Sequence, residues 1–379
     1  MVLFLHNRYR SAGGEERVVE ELMRLVPEQL GETARLLARD SATLGRGRAA
    51  LGLLRGGLDG AEVAAAVAEH RAGAEAEHGA PLVHAHNLQP AFGWRALAAA
   101  RGAGAGIVLH LHQYRLVCAT GVCYTRGTEC TRCHGRNTVP GILLRCRGGA
   151  GEALAYGAGL ALWQRRLVEQ ADVVVVPSRF AVERLRVLGA RLPWERAHVL
   201  RPPLRDFAER SVAAAGEYAL VASRLSPEKG ISVAVEACRR AGVPLVVAGE
   251  GPERALLEAT GGEVRFLGAV DQERLRELRL GAALAIVPSR SENFSTAAAE
   301  AMAAGLPVVA TRVGGMPELV GDEGLVEVDD AGAMAEAVGR LWGDGAAGAR
   351  GLARVRELCA PERVGEQLRR VYSAARERL

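Results

Sequence analysis

The sequence predicts an α/β protein built from two doubly wound, Rossmann-like parallel-sheet domains with a cleft between them. Two observations carry this. Short, unbroken apolar runs alternate with amphipathic Ala- and Arg-rich segments along all 379 residues, and the alternation restarts after the middle of the chain. β-Branched runs without polar alternation mark parallel strands covered on both faces. Strand–helix alternation in two batches marks two open parallel sheets, and the length fits two domains.

Each strand is read in order. The first batch is MVLFLHN (1–7), PLVHAHN (81–87), GIVLHLH (106–112) and DVVVVPS (172–178). The second is YALVASR (218–224), PLVVAGE (244–250), VRFLGAV (264–270), ALAIVPS (283–289), PVVATRV (307–313) and GLVEVDD (324–330). The seam falls in LRPPLRDFAERSVAAAGE, where Pro202 and Pro203 stop regular structure. The expected division is therefore 1–203, a linker at 204–216, a second domain at 217–360 and a terminal helix at 361–379.

Composition is that of an ordinary globular chain, 49% apolar and 24% charged. No apolar run reaches bilayer-spanning length. The first apolar run has Arg after it rather than before it, unlike a signal peptide, so a cytoplasmic protein is expected. Residues 1–203 hold 26 Arg against 18 Asp or Glu, a balance of +8, and the remainder balances at −4. The Arg residues are scattered, which favours an ordinary solvated surface, while peripheral contact with the inner membrane face stays open. Nucleic acid is disfavoured by a net charge of only +4 and 4% aromatics. Of 48 basic residues only Lys229 is lysine. A lone Lys in an Arg background points to a need for a compact, mobile point charge.

In open parallel sheets ligands sit at the carboxyl ends of strands, so the informative residues follow strands. SENFSTAAAE (291–300) places Glu292 in a strand-exit loop and Glu300 about one turn into a helix capped by Ser295 or Thr296 and ended by Gly305 and Pro307. The helix N-terminus between the two carboxylates is a ready anion site, and carboxylates accept hydrogen bonds from sugar hydroxyls. SRLSPEKG (223–230) puts Arg224 and Lys229 together on another strand exit, suited to phosphate. Gly249 and Gly251, Gly314 and Gly315, and Gly13 and Gly14 each follow a strand, and His112 ends one. Taken singly, each of these is more readily a solvated charge, a structural side chain or an ordinary turn.

Taken as an ordered set, they resemble the retaining GT-B glycosyltransferases of family 4. The likeness runs along the whole chain and is strongest over residues 219–328. It implies a sugar moved from a nucleotide-diphosphate donor to an acceptor hydroxyl, with the anomeric configuration kept. UDP-sugars are the commonest donors, with GDP- and ADP-sugars as alternatives. Arg224 and Lys229 correspond to the pair that binds the diphosphate and stabilises the leaving charge. No cofactor is expected for catalysis, and no Asp-x-Asp is present to hold a metal. Glu300 corresponds to the ribose contact and Glu292 to the contact with the transferred sugar, or alternatively to a nucleophile. Asn293, Phe294 and Ser295 would meet the sugar and phosphates, Gly249 would lie close to the ligand, and Phe266 and Leu267 would border the base. Gly13 and Gly14 correspond to a loop closing over the diphosphate, and His112 to a histidine beside the donor sugar. The acceptor is a glycan, a lipid-linked sugar or a small natural product.

Five of seven cysteines fall in residues 118–146. The stretch resembles an insertion in a subgroup of the family, in which Cys118, Cys130, Cys133 and Cys146 correspond to the cysteines and Cys123 is extra. A structural zinc site, disulfides, or free thiols in an acceptor-side loop are the three readings, with disulfides disfavoured by the expected compartment.

Other functions are weaker. A nucleotide-sugar epimerase or hydrolase on this fold needs a further acid or base, for which only His112 stands out. A dinucleotide oxidoreductase lacks G-x-G-x-x-G after a strand. A pyridoxal phosphate enzyme would have to use Lys229. A non-catalytic nucleotide-sugar-binding scaffold is disfavoured by the intact set Arg224, Lys229, Glu292 and Glu300.

Overall fold

A computed structural model describes residues 1–9, 13–73, 79–261 and 263–379. The chain forms two compact units. The first comprises Met1–Thr125, Cys130–Pro203 and Pro361–Leu379, and the second Arg126–Glu129 and Leu204–Ala360.

The strands up to residue 203 are β1 (Val2–Arg8), β2 (Ala34–Asp40), β3 (Leu82–Ala85), β4 (Gly106–His110), the two-residue β5 (Tyr124–Thr125) and β6 (Thr128–Glu129), β7 (Val173–Val176) and β8 (Ala197–Val199). The first unit's sheet runs β2-β1-β3-β4-β7-β8, parallel throughout. All four strands read from the first half are present. The sequence reading missed β2 and β8, which lie at the edges. β2 is half-buried along ARLLARD, so it shows no unbroken apolar run.

Both faces of this sheet are covered. Leu3, Leu5, Val83, Ala85, Ile107 and Leu109 pack into one core. Val2, Phe4, Leu82 and Val108 pack into another. The terminal helix, Pro361–Arg376, adds Val364, Leu368, Val371 and Tyr372 to that second core and so belongs to the first unit. Burying each such side chain stabilises by roughly 1.5–3 kcal/mol.

The second unit holds β9 (Tyr218–Ala222), β10 (Leu245–Ala248), β11 (Val264–Gly268), β12 (Ala282–Val287), β13 (Val308–Thr311) and β14 (Leu325–Val326). Its order is β11-β10-β9-β12-β13-β14, again parallel. The stretch 204–216, expected as a linker, is packed into this unit. Leu204 N–H donates to the Cys359 carbonyl at 2.8 Å, Ala208 N–H to the Ala303 carbonyl at 2.8 Å, and Ala213 is buried. The two prolines end the first sheet's last connection, but the polar residues after them are anchored by backbone bonds that composition does not show.

Each sheet has one place where the chain reverses its direction of travel. In the first it lies between β1 and β3, and in the second between β9 and β12. Exit loops diverge there and leave a crevice at the carboxyl ends. Among the described residues, no helix is long and apolar enough to cross a membrane.

Candidate functional site

At the reversal point of the second sheet, the exits of β9 and β12 are fastened together. Arg290 and Ser291 N–H donate to the Glu228 carbonyl at 2.8 and 3.3 Å. The Glu228 carboxylate accepts from Ser226 Oγ at 2.7 Å and from Arg224 at 3.1 Å. Lys229 Nζ donates to Glu292 Oε2 at 2.7 Å, and Ser289 Oγ donates to the same oxygen at 3.2 Å. The Lys229 and Glu292 side chains are only 19% and 12% exposed. In that setting the pair is screened little by solvent, and removing one partner would leave a poorly hydrated charge. The only lysine of the chain thus meets the first of the two glutamates.

The second glutamate is held differently. Glu300, in the helix Thr296–Ala303, pairs with Arg279 from the helix Gln272–Leu280. Ser295 caps the Glu300 helix by accepting from Ala298 N–H at 3.2 Å. Gly305, with φ +76°, follows that helix. Phe294 and Ser295 are buried, and the Asn293 carbonyl accepts from Gly315 N–H at 3.1 Å. A Cβ on Gly314 would run into the Glu292 carbonyl, so the 289–295 loop rests directly on the loop after β13. Gly249, with φ +146°, lies against the Ser223 carbonyl and donates its N–H to the Gly268 carbonyl at 2.7 Å. Phe266 and Leu267 lie half-buried on the edge strand β11. Arg224, Lys229, Gly249, Glu292, Asn293 and Ser295 therefore sit on adjoining strand exits. Glu300 is one helix turn further in, on its own cation. Neither Glu228 nor Arg279 stood out in the sequence, where both look like ordinary helix or turn charges.

The reversal point of the first sheet is built from neutral groups. Asn7 N–H donates to the Asn87 carbonyl at 2.7 Å, and Asn87 Nδ2 donates to the Asn7 carbonyl at 2.6 Å. Beside them His84 and His86 of the β3 stretch face His110 and His112 of the β4 stretch. His84 Nδ1 shares a hydrogen bond with the Tyr372 hydroxyl at 2.9 Å and His84 Nε2 one with His110 Nδ1 at 3.2 Å. His86 Nδ1 meets His112 Nε2 at 2.7 Å. The His110 and His112 rings stack with centroids 4.0 Å apart. Burial holds all four imidazoles neutral, with neighbouring imidazoles adding to the effect. His84 and His112 fall to about 3, and His86 and His110 are also pushed well down.

His112, expected at a strand end, lies two residues past β4. Gly13 caps the helix Gly14–Leu25, and its N–H donates to Glu16 at 2.9 Å. Tyr9 N–H donates to the other Glu16 oxygen at 3.1 Å, and the Tyr9 hydroxyl donates to Glu15 at 2.7 Å. His6 lies 3.8 Å from Glu15 and 3.7 Å from Glu16. Burial raises the Glu15 carboxyl. Residues 10–12 of the expected glycine loop lie outside the described residues. A pocket opens beside this cluster, with His86, His112, Gln113 and Arg115 on one side and Trp94 and Trp163 among its apolar walls. The histidine pairs were legible in principle: V-H-A-H and H-L-H put alternate residues on one face of adjacent strands.

None of the seven cysteines forms a disulfide. Cys118, Cys130, Cys133 and Cys146 line one small cavity; Cys123 and Cys133 are buried in the neighbouring apolar core, and Cys118 packs against it. Among the described residues, the trio of ligand atoms lying within 4.8 Å of one another is that of His84, His86 and His110.

Comparison with known proteins bears on the two units unequally. Residues 216–344 match the family model described as Glycosyl transferases group 1. Curated relatives include a GDP-mannose-dependent alpha-mannosyltransferase of Mycolicibacterium smegmatis, 31% identical over 201 residues, which are 48% of this chain and 52% of the relative. Another is a D-inositol 3-phosphate glycosyltransferase of Acidothermus cellulolyticus, 32% identical over 224 residues, 48% of this chain and 49% of the relative. The chain thus spans about half the length of these curated relatives. Among solved structures, the sucrose-phosphate synthase of Thermosynechococcus elongatus aligns with TM-score 0.66 and 22% identity over 98% of both chains. Anabaena Alr3699/HepE in complex with UDP aligns with TM-score 0.60 and 16% identity over 98% of this chain and 99% of that one. The fold is therefore that of the GT-B glycosyltransferases, two Rossmann-like parallel-sheet domains. The family likeness lies in the second unit.

Proposed function

We propose that the protein is a retaining glycosyltransferase that moves a sugar from a nucleotide-diphosphate donor to an acceptor hydroxyl. The observation that carries this is the Lys229–Glu292 pair at the reversal point of the sheet that matches the glycosyltransferase family model. A cation and a carboxylate in contact there fit the two parts of a nucleotide sugar. Lys229, with Arg224 on the same loop, takes the diphosphate, and Glu292 takes hydroxyls of the sugar. Donor binding then exchanges one ion pair for another: a phosphate oxygen replaces Glu292 as the partner of Lys229, which frees the carboxylate for the sugar. Two phosphate-directed cations let the leaving charge be stabilised without a metal.

Glu300 lies deeper, oriented by Arg279, and a carboxylate there suits a ribose hydroxyl. Asn293, Phe294 and Ser295 line the sugar and phosphates, and Phe266 and Leu267 the base. Ser289 Oγ still addresses Glu292 Oε2 once Lys229 has turned to the phosphate, which weakens that carboxylate as a nucleophile. This supports attack by the acceptor on the face the leaving group departs from, with a leaving phosphate oxygen taking the acceptor proton.

UDP is the preferred nucleotide on the sequence likeness. One structural neighbour binds UDP and one curated relative is named for GDP-mannose, so both belong in the test. In the first unit, the Trp94 and Trp163 walls beside polar His112, Gln113 and Arg115 suit an acceptor with an apolar portion, such as a lipid-linked sugar or an aromatic natural product. The test is calorimetric titration with UDP, GDP, ADP and their sugar conjugates, with chelator present. One nucleotide sugar should bind in the micromolar range, and Glu300→Ala should weaken it at least tenfold. Absence of binding by every nucleotide would leave a scaffold on the same fold.

A further inference from the structure

We infer that Cys118, Cys130, Cys133 and Cys146 hold one structural zinc ion, which staples the segment walling the first unit's pocket. The spacing is C-x11-C-x2-C-x12-C, a close pair flanked by two more distant thiols, as in four-thiolate sites. The fold brings all four to a single cavity of about 20 Å³, room for one water-sized body. Cys123, the fifth thiol of the segment, is left out of it. The backbone approaches one of the sulfurs closely: a Cβ on Gly141 would come within 3.3 Å of Cys133 Sγ.

Metal binding would replace the contacts these thiols make, among them a hydrogen bond between the Cys118 and Cys123 thiols. Cys118 Sγ lies 3.2 Å from Thr120 Oγ1, Cys133 Sγ 4.0 Å from the Thr138 carbonyl, and Cys146 Sγ 3.9 Å from Thr125 Oγ1. The sulfurs ring the cavity without closing to ligand spacing, so an ion would draw them inward. The histidine trio is the poorer candidate although its nitrogens are closer. His84 and His110 bond each other, His84 bonds Tyr372, and His86 bonds His112, so an ion there would have to break these bonds, although His86 Nε2 has no hydrogen-bond partner.

The segment needs a staple. Between β4 and the short helix Val139–Leu143, the only regular elements are the two-residue strands β5 and β6. An irregular stretch of this length calls for a constraint or a function. This one has both, because Gln113, Arg115 and Leu116 at its start line the pocket. Each thiol loses its proton on coordination, so one Zn²⁺ with four thiolates leaves two negative charges. Residues 118–147 carry five Arg and one Glu, a surplus that offsets them.

The test uses the full chain, purified without chelator from zinc-supplemented cells. Elemental analysis should give about one zinc per chain, released by a mercurial thiol reagent, and seven thiols should react after unfolding in chelator. Cobalt exchange should give the near-ultraviolet thiolate charge-transfer band and strong visible bands of a tetrahedral sulfur site, a readout that does not depend on any variant folding. Cys133→Ser should lose the metal, whereas Cys123→Ser and Cys238→Ser keep it. Zinc below about a tenth of an equivalent, fewer than seven reactive thiols because disulfides have formed, or metal retained by Cys133→Ser would each overturn the proposal.

Discussion

The two units place opposite chemistry at the same topological position. At the reversal point of the second sheet the groups are ions in contact, Lys229 with Glu292 and Arg224 with Glu228. At that of the first they are neutral imidazoles and amides bonded to one another. The sequence is divided just as sharply. All nine histidines lie between His6 and His198, and the one lysine lies in the second unit. One parallel-sheet frame thus supplies fixed charge in one unit and uncharged donors and acceptors in the other. Fixed charge suits a diphosphate, and neutral groups suit hydroxyls.

The largest expected effect tests the neutrality of the first cluster. Burial depresses His84, His86, His110 and His112 from an ordinary value near 6.5, to about 3 for His84 and His112. Groups depressed on folding contribute stability above their unfolded value and lose it as pH falls toward the folded one. Below about pH 6.5, each should cost about 1.4 kcal/mol per pH unit. Glu15, raised by burial, acts in the opposite sense and offsets part of this near pH 4. Hydrogen exchange followed by mass spectrometry, corrected for intrinsic rates, should show β1, β3 and β4 losing protection between about pH 6 and 4. Over the same range β9 and β12 should stay protected. Equal loss in both units would remove the distinction.

Next in size is Lys229→Ala. It should lower kcat/KM for the nucleotide sugar by about 10²–10³, in the range of losing one preorganised charge donor. Lys229→Arg should recover little, because a planar fork cannot turn from Glu292 to a phosphate as an ammonium does. Full activity in the Arg variant would show that the lone lysine is incidental.

Glu292→Gln sharpens the assignment within the site. Affinity for the free nucleotide should hold or rise, since Lys229 is released, while the extra affinity contributed by the sugar should fall about tenfold. An unchanged ratio between nucleotide and nucleotide sugar would take Glu292 off the sugar. The smallest effect expected is that of Tyr372→Phe, which removes the hydroxyl bonded to His84. It should destabilise the first unit by about 1 kcal/mol and leave nucleotide binding alone, as thermal unfolding and titration would show.

The difference between the units also explains what the sequence could reveal. Unbroken runs such as DVVVV and ALAIV are buried on both faces, so every strand of that kind was legible. β2 and β8 are edge strands of mixed polarity and were not. In the second unit, Arg224, Lys229 and Glu292 follow strands directly and could be read from their positions. Glu228 and Arg279 act through partners two to sixty-odd residues away, Ser226 and Glu292's neighbours for one and Glu300 for the other, and local pattern carries no trace of such pairing. In the first unit, the H-x-H alternations on two strands were visible. Their meeting depended on β3 and β4 being neighbours, with Ala85 opposite Leu109. The packing of 204–216 was hidden because its anchors, Ala303 and Cys359, are remote in sequence.

The central claim is that the donor is held by the second unit's charges. Titrating UDP and GDP into the parent, Lys229→Ala and Arg115→Ala proteins compares a cation at the second sheet's reversal point with one lining the first unit's pocket. The account predicts that Lys229→Ala weakens nucleotide binding at least about tenfold and Arg115→Ala leaves it within about twofold. Binding retained by Lys229→Ala and lost by Arg115→Ala would contradict it.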